Sequence, residues 1–164
     1  MRTSDEIDYN EGKVSDEETL IRLLCSPLFY NEQTHQVNLD AFDLRMLGKR
    51  PETYVSLGRK KFLDTEAQFN TFLQKGFQIW NPKKKDKYYG YGEFMCSEAL
   101  SISPKIEINP LKGNDKSHIG MFYAKDENQY YSGPLPKHNP EILEMLSDLA
   151  TMLSDKVVKF KYQD

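Results

Sequence analysis

Two cysteines, three histidines and no long apolar run leave this 164-residue chain little material for disulfide, metal or membrane chemistry. Cys25 and Cys96 each sit among apolar neighbours, the setting of buried thiols rather than of a disulfide or a ligand set. His35, His118 and His138 are scattered, and the close ligand pairs of a zinc site are missing. No apolar stretch approaches the ~20 residues that span a bilayer, and the N-terminus is acidic rather than basic then apolar, so a cytoplasmic protein is expected. "YGYGEF" (89–94) lacks the third glycine and the following helix of a dinucleotide fingerprint. "VSLGR" (55–59) has no glycine two residues before Ser56 and so is not a serine nucleophile elbow. No cofactor is expected, and no internal repeat is present.

What the chain does have is the material of a core. With 38% apolar, 12% aromatic and 29% charged residues it has a globular composition. Its length suits one domain that buries about two-thirds of the surface its unfolded form would expose. The net charge of −3 is unevenly placed: residues 1–18 carry seven acids against Arg2 and Lys13, which leaves the rest of the chain at +2. The acidic total therefore says little about the folded surface.

Residues 1–14 read as an acidic flexible arm, because Ile7, Tyr9 and Val14 are few to bury. Residues 15–164 read as a single α+β domain, a mainly antiparallel sheet with about three main helices packed on it. Ser15 with Glu18 resembles a capping box, and Leu20, Ile21, Leu23 and Leu24 then predict a helix that Pro27 ends. Between Leu28 and Arg59, alternation around Val37 and Leu39 and the run Tyr54 to Leu57 predict two strands. Thr65 and Gln68 form a second capping box for a helix carrying Phe69, Phe72 and Leu73, with Gly76 at its expected stop. A strand from Tyr88 follows, then a short helix opened by Ser97, and then a strand pair, "PKIEINPL" and "HIGMFYAK". Asn139 and Pro140 open a last helix with Ile142, Leu146, Leu149 and Leu153 on its stripe, widened by Leu143 and Ala150. "VVKFKYQD" closes the chain as an edge strand with Lys159 and Lys161 facing solvent.

Two constellations carry candidate chemistry. Lys83, Lys84, Lys85 and Lys87 precede Tyr88, Tyr89 and Tyr91, a pattern that grips single-stranded nucleic acid if the lysines meet phosphates and the tyrosines stack on bases. Period two sends Tyr89, Tyr91 and Glu93 to one strand face and Tyr88, Gly90, Gly92 and Phe94 to the other, which divides the stacking platform. The bare face left by Gly90 and Gly92 predicts a helix or ligand close to the backbone. The second constellation centres on His118, at the start of a strand, with Arg59, Ser56, Tyr89 and Glu93 as partners. Arginine would bind an anion and histidine would act as general acid or base, provided that these side chains converge.

Ser26-Pro27, Ala41-Phe42, Val55-Ser56 with Arg59 three residues on, Gly90-Tyr91-Gly92 and the late His118 together resemble a loose group of small uncharacterised bacterial proteins. The resemblance spans residues 20–123, and where Ile119 and Gly120 follow His118 here, that group has alanine next. It implies a bacterial, cytoplasmic protein and supplies no activity.

With the catalytic motifs missing, the sequence favours a non-catalytic interaction or accessory module whose partner is another protein. A small enzyme or nucleotide-binding protein using Arg59, His118 and Tyr89 is the alternative, and single-stranded nucleic-acid binding through Lys83–Tyr91 is the second alternative.

Overall fold

The computed structural model describes residues 1–80 and 85–160. In chain order the elements are β1 (Thr19–Ser26), β2 (Tyr30–Asn31), β3 (Gln36–Val37), β4 (Met46–Leu47), β5 (Arg50–Pro51), β6 (Val55–Arg59), α1 (Glu66–Ile79), β7 (Lys87–Met95), α2 (Cys96–Leu100), β8 (Ile106–Pro110), β9 (His118–Tyr123), α3 (Pro140–Ser154) and β10 (Val157–Lys159). A six-stranded sheet runs in the order β10-β7-β1-β6-β9-β8, with every neighbouring pair antiparallel, and two small hairpins, β2-β3 and β4-β5, stand beside it. The chain is a single α+β domain.

The sheet is covered on both sides. Ile21 is the register partner of both Gly58 and Glu93, so Gly58 and Gly92 lie on opposite faces. A side chain at Gly58 would run into Phe72 of α1, and one at Gly92 into Leu153 of α3. The two long helices therefore sandwich the sheet, and the bare backbone at Gly92 is filled by a helix, one of the two outcomes the sequence allows.

This layering explains the one element whose type the sequence gets wrong. Residues 19–26 form the central strand β1, not a helix. A strand with helices on both faces must be apolar on both, so its run is continuous and carries no period-two signature. The Ser15 and Glu18 signal is present as a lone turn: Ser15 N–H donates to Glu18 Oε2 at 2.7 Å and Glu18 N–H to Ser15 O at 3.1 Å. The turn is then drawn into the sheet, because Cys96 N–H donates to Glu18 O and Ser97 N–H to Asp16 O, each at 2.9 Å.

Other expectations hold with shifted bounds. Thr65 caps α1 through the reciprocal box with Gln68, at 3.1 and 3.2 Å. The helix runs through Gly76 to Ile79, and Gly76 is a contact rather than a stop, since a Cβ there would come within 2.4 Å of the Tyr88 ring. On β7, Tyr88, Gly90, Gly92 and Phe94 are buried and alternate with partly exposed Tyr89, Tyr91 and Glu93, as the period requires. Asn139 Oδ1 accepts from Glu141 N–H at 2.9 Å to open α3, whose buried stripe includes Ala150 but leaves Leu143 exposed. The first of the two strands expected between Leu28 and Arg59 is only the two-residue β3, followed by a 3-10 turn at Leu39–Ala41. Lys159 lies exposed on the edge strand β10, whereas Lys161 lies outside the described residues.

The N-terminal arm corrects its expectation as well. Ile7 is 2% exposed against Leu111 and Phe122, and Val14 joins the main core. Asp8 N–H donates to Pro110 O and Lys112 N–H to Glu6 O, each at 2.9 Å, which lays the arm along the end of β8.

Candidate functional site

Strands β1 and β6 pair over only Leu20↔Arg59 and Ile21↔Gly58, and beyond these two pairs they part. A cavity of about 390 Å³ opens in the wedge. Its apolar wall comes from Ile21, Leu23 and Leu57 of the sheet and from Phe72, Ile79 and Trp80 of α1 and its C-terminal end. Its polar groups are Arg22, Arg45, Glu52, Ser56, Lys75, Asp115 and His118.

Arg22 is the unusual member. It is 8% exposed, it lies in the buried run of β1, and it meets main-chain oxygens instead of a carboxylate. Nε donates to Ala41 O at 2.9 Å and Nη1 to Ser56 O at 3.2 Å, while the guanidinium lies 4.8 Å from the centre of the Phe29 ring. Among the described residues Nη2 has no hydrogen-bond partner and Arg22 makes no ion pair. Burial, with Arg45 close by, pulls its pKa down to about 10, so it remains charged at pH 7. A buried cation without a counter-charge is costly, and such groups concentrate at sites that bind something.

The other cations of the pocket are already matched. Arg45 Nε lies 3.3 Å from Glu52 Oε1, and Lys75 Nζ lies 2.7 Å from Asp115 Oδ2. Asp115 also accepts from the Ser117 N–H at 3.0 Å and from its hydroxyl at 2.5 Å, so its carboxylate is fully engaged. Burial raises the Asp115 pKa, but these hydrogen bonds from Lys75 and Ser117 outweigh it and hold the group ionised.

His118 and Ser56 meet, as the sequence suggested they could. Gly58 is the register partner of His118 and Gly120 that of Ser56, which sets His118 diagonally across from Ser56, with Nε2 3.2 Å from Oγ. Burial lowers the imidazole pKa, Asp115 raises it and Lys75 lowers it, and the balance falls below 6.5, leaving a neutral ring at pH 7.

Arg59 and Tyr89 do not join them. Arg59 follows Gly58 and so points to the face opposite Ser56 and His118, the face from which Arg22 also projects. There its Nε and Nη2 each reach Glu18 at 2.7 Å in a buried bidentate pair away from the cavity. Tyr89 packs on Tyr30 with centroids 4.6 Å apart and lies beneath Lys159. Glu93 bonds to Lys60. The convergence that the sequence required of His118, Arg59 and Tyr89 is absent, and the arginines at the pocket are Arg22 and Arg45. Arg22 left one signal: it is the lone charge inside "LIRLLC", and a charge within a strand buried on both faces needs a reason.

Of the lysine cluster, Lys83 and Lys84 lie outside the described residues, while Lys85 and Lys87 are exposed. Tyr88 is buried and stacked on Trp80, and the Tyr91 ring meets the edge of Phe69. Cys25 and Cys96 are buried and free, with both thiols pushed up to about 11 by burial. Among the described residues no group of three His, Cys, Asp or Glu side chains could hold a metal ion, and no helix is long and apolar enough to cross a membrane. Compared with protein-family models, with curated proteins and with solved structures, the chain matches none.

Proposed function

We propose that this protein binds a small organic molecule in the wedge between β1 and β6. The observation that carries the reading is Arg22: a buried guanidinium with an unused N–H group, at the wall of a cavity of about 390 Å³ that is otherwise largely apolar. Cavities of this size with a few convergent polar groups are the ordinary form of a ligand site. The reading keeps the small-molecule alternative from the sequence, moves it to Arg22, Ser56 and His118, and is preferred to the protein-interaction module on the strength of the Arg22 setting. It is a reading of binding; the Ser56–His118 pair lacks a carboxylate bonded to the ring, which a hydrolytic triad would use to orient the imidazole.

The single tryptophan, Trp80, lines the cavity and reports on it directly. Titration with the neutral dye N-phenyl-1-naphthylamine is expected to give saturable binding, with dye emission rising as Trp80 emission falls by energy transfer. Ser56→Phe, which places a ring in the cavity from a position exposed at its wall, is expected to abolish the signal. Absence of saturable binding to the unaltered protein, or binding that Ser56→Phe leaves unchanged, would overturn the reading.

A further inference from the structure

We infer that the ligand of this pocket is an organic acid with one negative charge on an apolar body, its acid group held by Arg22. The inference rests on the pocket reading above and goes beyond it by fixing the ligand's charge.

The charge follows from what each polar group already does. Glu52 neutralises Arg45 and Asp115 neutralises Lys75. Arg22 alone has only carbonyl partners, at Ala41 and Ser56, and so keeps its whole charge. A carboxylate entering the wedge meets that charge and the unused Nη2 donor, and a charge-assisted hydrogen bond in a site shielded from water is stronger than one at a surface. A second negative charge on the ligand finds no further unmatched cation in the pocket lining, and it faces Glu52 and Asp115. A nucleoside phosphate, which carries two or more charges, is accordingly disfavoured. A neutral ligand leaves Arg22 as it was and gains only burial.

The body follows from the wall. Leu23, Leu57, Phe72 and Trp80 give the acid an apolar surround. Ser56 and His118 form a second polar point, able to take a hydrogen bond from the ligand without adding charge.

The test is displacement of N-phenyl-1-naphthylamine by three competitors of related size: 1-naphthoate, the neutral 1-naphthamide, and AMP. Naphthoate is expected to displace the dye at a concentration at least about 10-fold lower than naphthamide, a factor that corresponds to ~1.4 kcal/mol, and AMP is expected to be the weakest. Arg22→Met is expected to bring naphthoate and naphthamide to within about 3-fold of each other, whereas Lys125→Gln, at an exposed cation outside the pocket, is expected to preserve the difference. Equal displacement by naphthoate and naphthamide in the unaltered protein, or stronger displacement by AMP, overturns the charge assignment while leaving the pocket reading intact. That comparison needs no variant and so holds even if Arg22→Met fails to fold. Loss of the difference in Lys125→Gln as well would show that the preference does not come from Arg22 and would also overturn the proposal. Failure of the dye itself to bind counts against the pocket reading instead.

Discussion

Arg22 Nη1 donates to the Ser56 carbonyl oxygen at 3.2 Å, across the gap where β1 and β6 cease to pair. A side chain thus stands where the next main-chain bond of the ladder would have been. The substitution lets the sheet split while the Ser56 carbonyl keeps a donor. It also places a cation at the apex of the wedge. The Ser56 residue that offers this carbonyl turns its hydroxyl to His118, so one residue of β6 links both polar points of the pocket.

The Glu18–Arg59 pair, which the sequence assigned to a site through its arginine, acts as a clamp between the start of β1 and the end of β6. Both side chains are nearly inaccessible. Arg59→Met or Glu18→Gln alone is expected to cost about 3–5 kcal/mol, because the second leaves buried Arg59 without its counter-charge and the first leaves buried Glu18 only the half-exposed Lys61 at 3.7 Å. The double variant is expected to be less damaging than the sum of the two, and a double-mutant cycle in urea measures the difference. Burial raises the Glu18 pKa, but hydrogen bonds from Arg59 and Ser15 and the charge of Arg59 outweigh it, so the folded value is lowered. A carboxylate lowered in this way stabilises the fold above its unfolded pKa, near 4.5, and the contribution is lost as pH falls through the folded value. Additive single variants would show that the pair does not act as a unit.

Ile7 tests whether the acidic arm belongs to the fold. Its side chain is buried against Leu111 and Phe122, and the flanking backbone bonds to β8 and its C-terminal continuation. Ile7→Ala is expected to cost about 2 kcal/mol, the lower end for a buried Ile to Ala change. For a chain of this size that lowers Tm by about 4–8 °C. A scanning calorimetry trace unchanged within about 1 °C would show that the arm contributes nothing.

Elements with one buried face were legible in the sequence. The alternation of β7 and the stripe of α3 both follow from a polar side and an apolar side, and the capping chemistry at Thr65 and Asn139 marked where helices begin. Elements buried on all sides were not, because β1 has no polar side to set its period and a short leucine-rich run reads as either type. The same blindness hid the site. Ser56 and His118 were within reach because they lie near the strand ends of a predictable hairpin-rich region, but Arg22 needs the strand assignment of β1 before its burial becomes visible. The burial of Ile7 depends on Leu111 and Phe122, more than a hundred residues away, and no local pattern encodes that contact.

Gly92 lets α3 approach the sheet. A Cβ built there would lie 2.5 Å from Leu153 Cδ1, well inside contact distance. Gly92→Ala is expected to destabilise by about 1–3 kcal/mol through overpacking. Leu153→Ala alone is expected to cost about 2–5 kcal/mol through the cavity it leaves. Together the two relieve each other, since the added methyl enters the space that the leucine vacates, and the double variant is expected to fall short of the sum by at least about 1 kcal/mol. Chemical denaturation of the four proteins decides it, and strict additivity would mean that α3 does not rest on Gly92.

His118 gives the pocket a pH signature. Its ring is removed from water between Ser56 and Tyr54, and this burial outweighs the attraction of Asp115, which raises the pKa, while Lys75 adds a smaller repulsion that lowers it. The folded pKa is therefore below the ordinary 6.5. A base whose pKa is lowered by folding binds more protons in the unfolded chain, so its stabilising share is complete above the unfolded pKa and is lost as pH falls through 6.5 toward the folded value. The imidazole Cε1–H resonances followed by NMR from pH 8 to pH 4 are expected to show His118 titrating below 6.5. His118→Gln assigns that resonance by removing it. A carboxylate bound at Arg22 stabilises the charged ring, so saturating 1-naphthoate is expected to move the same midpoint upward. A His118 midpoint at or above 6.5 in the free protein would contradict the desolvated setting described here, and a midpoint indifferent to naphthoate would place the bound acid away from the Ser56–His118 wall.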